Sequence, residues 1–185
     1  IARRGAAPEG QLPPEVLRKS IEALGYDITH KIGEIAIVAP SPVVSTVMLT
    51  AQEPLTVGEI ARRARMFLDL VSTNPGVKLS PAMHDLDGAV GECVRRFARD
   101  GMLDASMHAG ETRYVVHPRA RIQLDYYKNS LIHYVLPTAI AAATIRSFKG
   151  HAAPREEVFS RAMRLRELLR YEFNYEVNVS FEDVF

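Results

Sequence analysis

The sequence predicts a mainly α-helical domain with a winged-helix-like centre and one small β-hairpin. Apolar residues recur at helical spacing through most of the chain, and helix-start and helix-stop residues bracket those runs. Between residues 54 and 118 the order of signals is helix, turn, helix and hairpin. The chain divides into a linker at 1–14, a helical segment at 15–53, a winged-helix-like region at 54–118 and a carboxyl-terminal helical region at 119–185.

The first fourteen residues are rich in Gly, Ala and Pro, the composition of a linker. After Pro13-Pro14 a helix is expected from residue 15 through 24, with Val16, Leu17, Ile21 and Leu24 at helical spacing and Gly25 as its stop. Residues 35–49 are apolar and rich in valine. They fit either a buried helix starting near Ser41-Pro42 or an extended piece followed by a helix.

From Pro54 the signals sharpen. Thr56 followed by Glu59 has the spacing of a capping box, which satisfies orphan amide donors at a helix start, and the helix it opens should run to about Ser72. Asn74-Pro75-Gly76 then breaks it. A further helix is expected over 86–100 with Ala89, Val90, Cys93, Val94 and Phe97 facing inward and Gly101 as its stop. Two short runs, 102–105 and 113–116, flank His108-Ala109-Gly110-Glu111 and predict a hairpin with Gly at its turn. The remainder reads as one helix from about Arg119 through Lys128 to Phe148, kinked at Pro137, and a second from Pro154 to Tyr171.

With 185 residues and 47% hydrophobic content the chain can bury a substantial core. A formal net charge of +1 selects neither nucleic acid nor acidic partners globally, so any basic surface is local. A single cysteine, Cys93, excludes an internal disulfide and falls in an apolar helical pattern, where a buried thiol is expected. The two longest apolar stretches are shorter than a membrane span and interrupted by proline, so no transmembrane segment is expected. The amino terminus lacks the layout of a signal peptide, and the start at Ile1 suggests part of a longer polypeptide.

A winged-helix order raises DNA or protein docking as one reading. Its recognition helix would carry Arg95, Arg96 and Arg99, and its wing His108 and Arg113. Asp85, Asp87, Glu92 and Asp100 on that helix count against phosphate binding, which makes nucleic acid the lesser expectation. His84, Asp85 and Asp87 are too close in sequence, without distant partners, to make a metal site; Asp85 or Asp87 is better placed to cap the helix that follows. No Gly-rich phosphate loop, Cys-x-x-Cys pair or Gly-x-Ser-x-Gly elbow occurs, and no cofactor is expected.

The run Leu124-Asp125-Tyr126-Tyr127-Lys128-Asn129-Ser130-Leu131-Ile132-His133 is not called for by folding physics. It resembles the Tyr-Tyr-Arg-Asn-x-x-x-His segment downstream of the catalytic domain in membrane-associated glycerol-3-phosphate acyltransferases. Two more segments are similar to that family: 31–46, with Gly33 and Ala39 where the family has Asn and Thr, and Leu168-Leu169-Arg170-Tyr171-Glu172-Phe173-Asn174-Tyr175 near the end. The run Asp100-Gly101-Met102-Leu103 followed by a hairpin is also similar, which accounts for the winged-helix order without DNA.

The resemblance implies an intact enzyme that moves an acyl group from acyl-CoA or acyl carrier protein to the first hydroxyl of glycerol 3-phosphate. Such chemistry needs a general base and a carboxylate to orient it, and the family supplies both from His-x-x-x-x-Asp. Every histidine here is followed at that spacing by a residue other than Asp, and the family's Phe-Pro-Glu-Gly type motif is absent. The resemblance therefore places this chain after the catalytic domain, as an inactive accessory region whose 15–53 segment packs on that upstream part. It implies the cytoplasmic face of the inner membrane as location; the basic stripes Arg62-Arg63-x-Arg65 and 161–170 read first as solvated helix faces, with contact to anionic headgroups as the lesser alternative. On one continuous helix Tyr126, Asn129 and His133 would share a face, forming a buried polar network or, with Tyr127 and Lys128, shaping the pocket of the catalytic domain.

Overall fold

The computed structural model describes residues 13–35, 37–73 and 76–169. Most of the expected linker, the Asn74-Pro75 break and the segment from Arg170 onward lie outside these. Seven α-helices, two pairs of short strands and two 3-10 turns make up the described fold. A mainly helical architecture is what the apolar periodicity predicts.

The first helix, α1 (Pro14–Ile35), does not stop at Gly25. Leu24 and Ile28 continue the same apolar row across the glycine, and one interior glycine costs only about 1 kcal/mol relative to alanine. The Val-rich stretch resolves as the extended-then-helix alternative. It begins with β1 (Ile37–Val38), passes through extended Ala39 and enters α2 (Pro40–Thr50), where prolines in the first turn spare donors that would be unsatisfied there anyway.

Helix α3 (Val57–Val71) opens on the expected capping box. Thr56 Oγ1 accepts from the Glu59 amide at 3.2 Å, and the Glu59 carboxylate accepts from the Thr56 amide at 2.8 Å. After β2 (Lys78–Leu79) and a 3-10 turn at Pro81–His84 comes α4 (Leu86–Arg99), whose buried face carries Val90, Cys93, Val94 and Phe97 as expected. Its end is a Schellman motif: the Met102 amide reaches the Phe97 carbonyl at 2.7 Å, and the Gly101 amide the Ala98 carbonyl at 3.1 Å. Gly101 sits at φ 72°, where a Cβ would be strained.

The hairpin pairs β3 (Leu103–His108) with β4 (Glu111–Val116), His108 opposite Glu111. Ala109 and Gly110 both have positive φ, 50° and 83°, the two-residue turn whose twist matches that of the strands. Leu55 bridges antiparallel to Tyr114 on the outer side of β4, with backbone bonds of 3.0 and 2.8 Å. Helix α2, the Leu55 bridge, α3, α4 and the hairpin follow one another in that order along the chain. A parallel pair, Ile37 with Lys78 and Val38 with Leu79, ties the entry of α2 to the α3–α4 connection.

The carboxyl-terminal helices differ from expectation. The single helix kinked at Pro137 is instead two, α5 (Arg121–Asn129) and α6 (Ile132–Ser147), with Pro137 lying inside α6. Ser130 ends α5: its hydroxyl donates to the Tyr127 carbonyl at 2.8 Å and its amide makes a tightened bond to the same carbonyl at 3.2 Å. A serine hydroxyl that satisfies a last-turn carbonyl competes with continued helix. Helix α7 (Arg155–Leu169) closes the described chain.

One core joins β1, α2, α3, α4, β3 and α5, centred on Val43, Val44, Ile60, Val94, Phe97 and Leu124. A smaller cluster, Leu136, Ile140 and Ala162, holds α6 to α7. Arg113 ties the hairpin to the α3 start, donating to the Pro54 carbonyl at 3.0 Å and to Glu59 at 3.4 Å. The Thr56 amide and hydroxyl and the Arg113 charge hold the Glu59 carboxyl below its ordinary pKa. Because the folded value is the lower one, this contribution is present above the ordinary carboxylate pKa and fades as pH falls through the folded value. Urea unfolding of wild type and Glu59→Gln should therefore show a gap at pH 7 that narrows as the pH falls below the ordinary glutamate pKa of about 4.3; an undiminished gap in acid would contradict the assignment.

Candidate functional site

The Tyr-Tyr-Lys-Asn run and His133 lie at the junction of α5 and α6. Helix α5 packs on α2 through buried Leu124, and that contact fixes which of its other side chains face outward. Tyr127 is half-buried, its ring 5.7 Å from Phe97 of α4 and 6.2 Å, edge-on, from Tyr126. Lys128 Nζ sits 2.7 Å from Asp125 Oδ1, a pair one turn apart and partly shielded. These two residues belong to the inner side of the junction.

Tyr126 and Asn129 belong to the outer side. Tyr126 is 79% exposed and Ile122, one turn earlier on the same face, 83%. Asn129 is exposed as well. His133 lies beyond the break in the first turn of α6, its ring 3.9 Å from that of Tyr134, whose hydroxyl pKa is raised by burial. The expected shared face of Tyr126, Asn129 and His133 is interrupted at Ser130, and their environments differ: Tyr126 and Asn129 are exposed and His133 is half-buried. Asn129, the expected centre of a buried network, is exposed.

The other candidates are engaged structurally. Asp85 caps α4, accepting from the Gly88 amide at 3.1 Å, and Asp87 pairs with Arg65 at 2.9 Å. This ion pair borders a shallow open groove on α3 and α4 lined by Val57, Gly58, Ala61 and Arg62. No group of three or more metal-binding side chains gathers among the described residues. On α4, Arg95 pairs with Glu92 at 2.9 Å and Arg96 donates to Ser41 Oγ at the start of α2. Cys93 is buried, and burial pushes its thiol pKa up. Of the wing residues, Arg113 is held by Pro54 and Glu59, and His108 is exposed at the turn.

One surface was only half legible in sequence. Leu17, Ile21, Leu24 and Ile28 form a row along α1 and are all between 47% and 61% exposed. Helical spacing alone reveals such a row, but it predicts burial; only the fold shows that no described element covers it.

No helix of the described residues is long and apolar enough to cross a membrane. Comparison with known proteins gives a consistent answer. A family model described as the glycerol-3-phosphate acyltransferase C-terminal region matches residues 2–185. The chain is 23% identical over 167 residues to plsB1 of Mycobacterium tuberculosis, whose name marks it as a candidate acyltransferase; the match covers 88% of this chain and 27% of that protein. A glycerol-3-phosphate acyltransferase of Pseudoalteromonas atlantica is 25% identical over 160 residues, 86% of this chain and 19% of its own length. The chain thus spans between a fifth and about a quarter of the curated relatives it matches. Matched almost end to end, it belongs to the family of glycerol-3-phosphate acyltransferase C-terminal regions.

Proposed function

We propose that this chain is the accessory region of a glycerol-3-phosphate acyltransferase, inactive alone, which docks on a catalytic portion carried ahead of it and completes the enzyme. The carrying observation is the mismatch in coverage: the family model spans 2–185, while the same residues account for 27% or less of the relatives. The missing His-x-x-x-x-Asp spacing agrees, since without it the chain offers no base oriented for a glycerol hydroxyl. The intact protein would transfer an acyl group from acyl-CoA or acyl carrier protein to glycerol 3-phosphate.

Docking has two candidate surfaces, the 15–53 segment through α1 and the outer face of α5. A largely bare tyrosine beside a bare isoleucine is a common anchor for a partner surface. In this reading Tyr126 and Asn129 meet the catalytic portion near its substrate pocket, while Tyr127, Lys128 and His133 hold the junction that presents them. Residues 126–155 contain no Asp or Glu, and Arg146, Lys149 and Arg155 at the α6–α7 connection are exposed. That charge pattern suits the anionic cytoplasmic face of the inner membrane as a peripheral seat.

The test is acyl transfer to glycerol 3-phosphate by the intact gene product, by a version lacking this region, and by the truncated version with this chain added back. Activity should vanish on truncation and return on addition. In the intact enzyme Tyr126→Ala with Asn129→Ala should lower kcat/KM on the order of tenfold, the equivalent of one lost packing contact, at unchanged melting temperature. Full activity after truncation would remove the proposal.

A further inference from the structure

Helix α1 is long, and none of the principal element contacts of the fold involves it. Most helical stability in proteins comes from tertiary packing, which α1 lacks here, and Gly25 in its interior lowers it further. Its polar flanks carry the pairs Arg18–Glu22 at 3.7 Å and Lys31–Asp27 at 3.0 Å, each one turn apart and exposed. Such pairs add a few tenths of a kilocalorie at most and do not replace a covering surface.

The width of the apolar row identifies the covering surface. Leu17, Ile21, Leu24 and Ile28 recur at steps of four, three and four within a narrow sector of the helix, and Val16, also exposed, lies off that row in the first turn without a counterpart further along among the side chains described. A helix lying on a sheet or in a lipid interface shows a stripe of 100° or more, whereas a strict alternation of four and three is the seam of one helix on one other. A lipid surface is further disfavoured because acids (Glu15, Glu22, Asp27, Glu34) outnumber bases (Arg18, Lys19, Lys31) on the helix.

Two helices could supply the other half of the seam: α1 of a second copy, or a helix in the portion of the protein ahead of this region. Ile at one seam position and Leu at the other is compatible with a two-stranded pair. However, the seam holds only four half-exposed side chains per helix. The apolar gain from closing it is of the same order as the translational and rotational freedom that two separate chains lose, so a dimer through α1 alone is balanced near zero. The same seam closed within one polypeptide avoids most of that loss, because the chain holds the partner at high effective concentration.

We infer that α1 docks through Leu17, Ile21, Leu24 and Ile28 onto a single helix of the preceding portion of the same protein, and that its helical structure is stabilised by that contact. This rests on the proposed accessory role and adds to it the contact surface and the class of partner element.

Hydrogen exchange of the α1 amides tests it, in the intact gene product, in its Ile21→Asp/Leu24→Asp variant and in this chain alone. The intact protein should exchange over α1 at least about tenfold more slowly than this chain, and the variant should lose that protection while α3 and α4 keep theirs. Equal exchange in all three overturns the inference, as does a gene product with nothing ahead of this chain. Sedimentation of this chain should give a monomer at micromolar concentration; a dimer that Leu24→Asp dissolves would assign the seam to a second copy and overturn it. Cosedimentation with phosphatidylglycerol vesicles that the same substitution abolishes would assign it to lipid, again against the inference. If α1 is unprotected while acyl transfer still depends on this region, the inference fails and the accessory role stands.

Discussion

Phe97→Ala should lower stability by roughly 3–5 kcal/mol, the usual cost of deleting a fully buried aromatic ring. The ring is completely enclosed on α4 and lies against Tyr127 of α5. Its removal empties the centre of the main core and takes away the stacking partner that positions the α5–α6 junction. Urea unfolding followed by circular dichroism would measure the loss. A cost under 1 kcal/mol would mean that this ring is not where the core is anchored.

Leu124→Ala should cost roughly 2–5 kcal/mol, whereas Asn129→Ala and Ile122→Ala on the same helix should each stay within about 0.5 kcal/mol. Leu124 is fully buried against α2, while Ile122 and Asn129 are open to solvent. The contrast fixes the rotation of α5, and with it the claim that Tyr126 and Asn129 are presented outward. Had Asn129 been the centre of a buried network, its loss would cost about 1–3 kcal/mol for the unsatisfied partner left behind. Equal costs at Leu124 and Asn129 would refute the orientation of the junction.

The elements that sequence revealed are those whose instructions are local. Thr56 and Glu59 close their capping box within one turn, Gly101 ends α4 because the next position needs positive φ, and Gly110 marks the hairpin turn. The inward face of α4 follows from four apolar residues at helical spacing. What sequence concealed depended on small competing terms. Gly25 looked like a stop, yet the small cost of one interior glycine does not end α1, and Ser130 broke a helix that propensity would have continued because its hydroxyl reached back to Tyr127.

For the candidate site, the family motif was legible in the order of Tyr126, Tyr127, Lys128, Asn129 and His133, and the absence of a catalytic histidine spacing was legible by inspection. The direction each side chain faces was not, because it depends on where α5 ends. One continuous helix would place Asn129 and His133 in one environment; with the break between them Asn129 is exposed and His133 half-buried. Leu17, Ile21 and Leu24 of the α1 row were visible as periodicity, but their exposure required knowing that no described element lies over them.

The parallel pair between β1 and β2 bears on how this chain reaches its fold in time. Much of the central packing is assembled from neighbours in sequence, as with α3 against α4 and β3 against β4. Ile37–Val38 and Lys78–Leu79 can meet only after the intervening α2 and α3 have closed a long loop, whose entropy opposes the pairing until those helices are packed. The pair therefore belongs to the late side of the folding barrier. Weakening it would speed unfolding while leaving the folding rate nearly unchanged, so this two-residue ladder acts on the lifetime of the folded state rather than on the route into it.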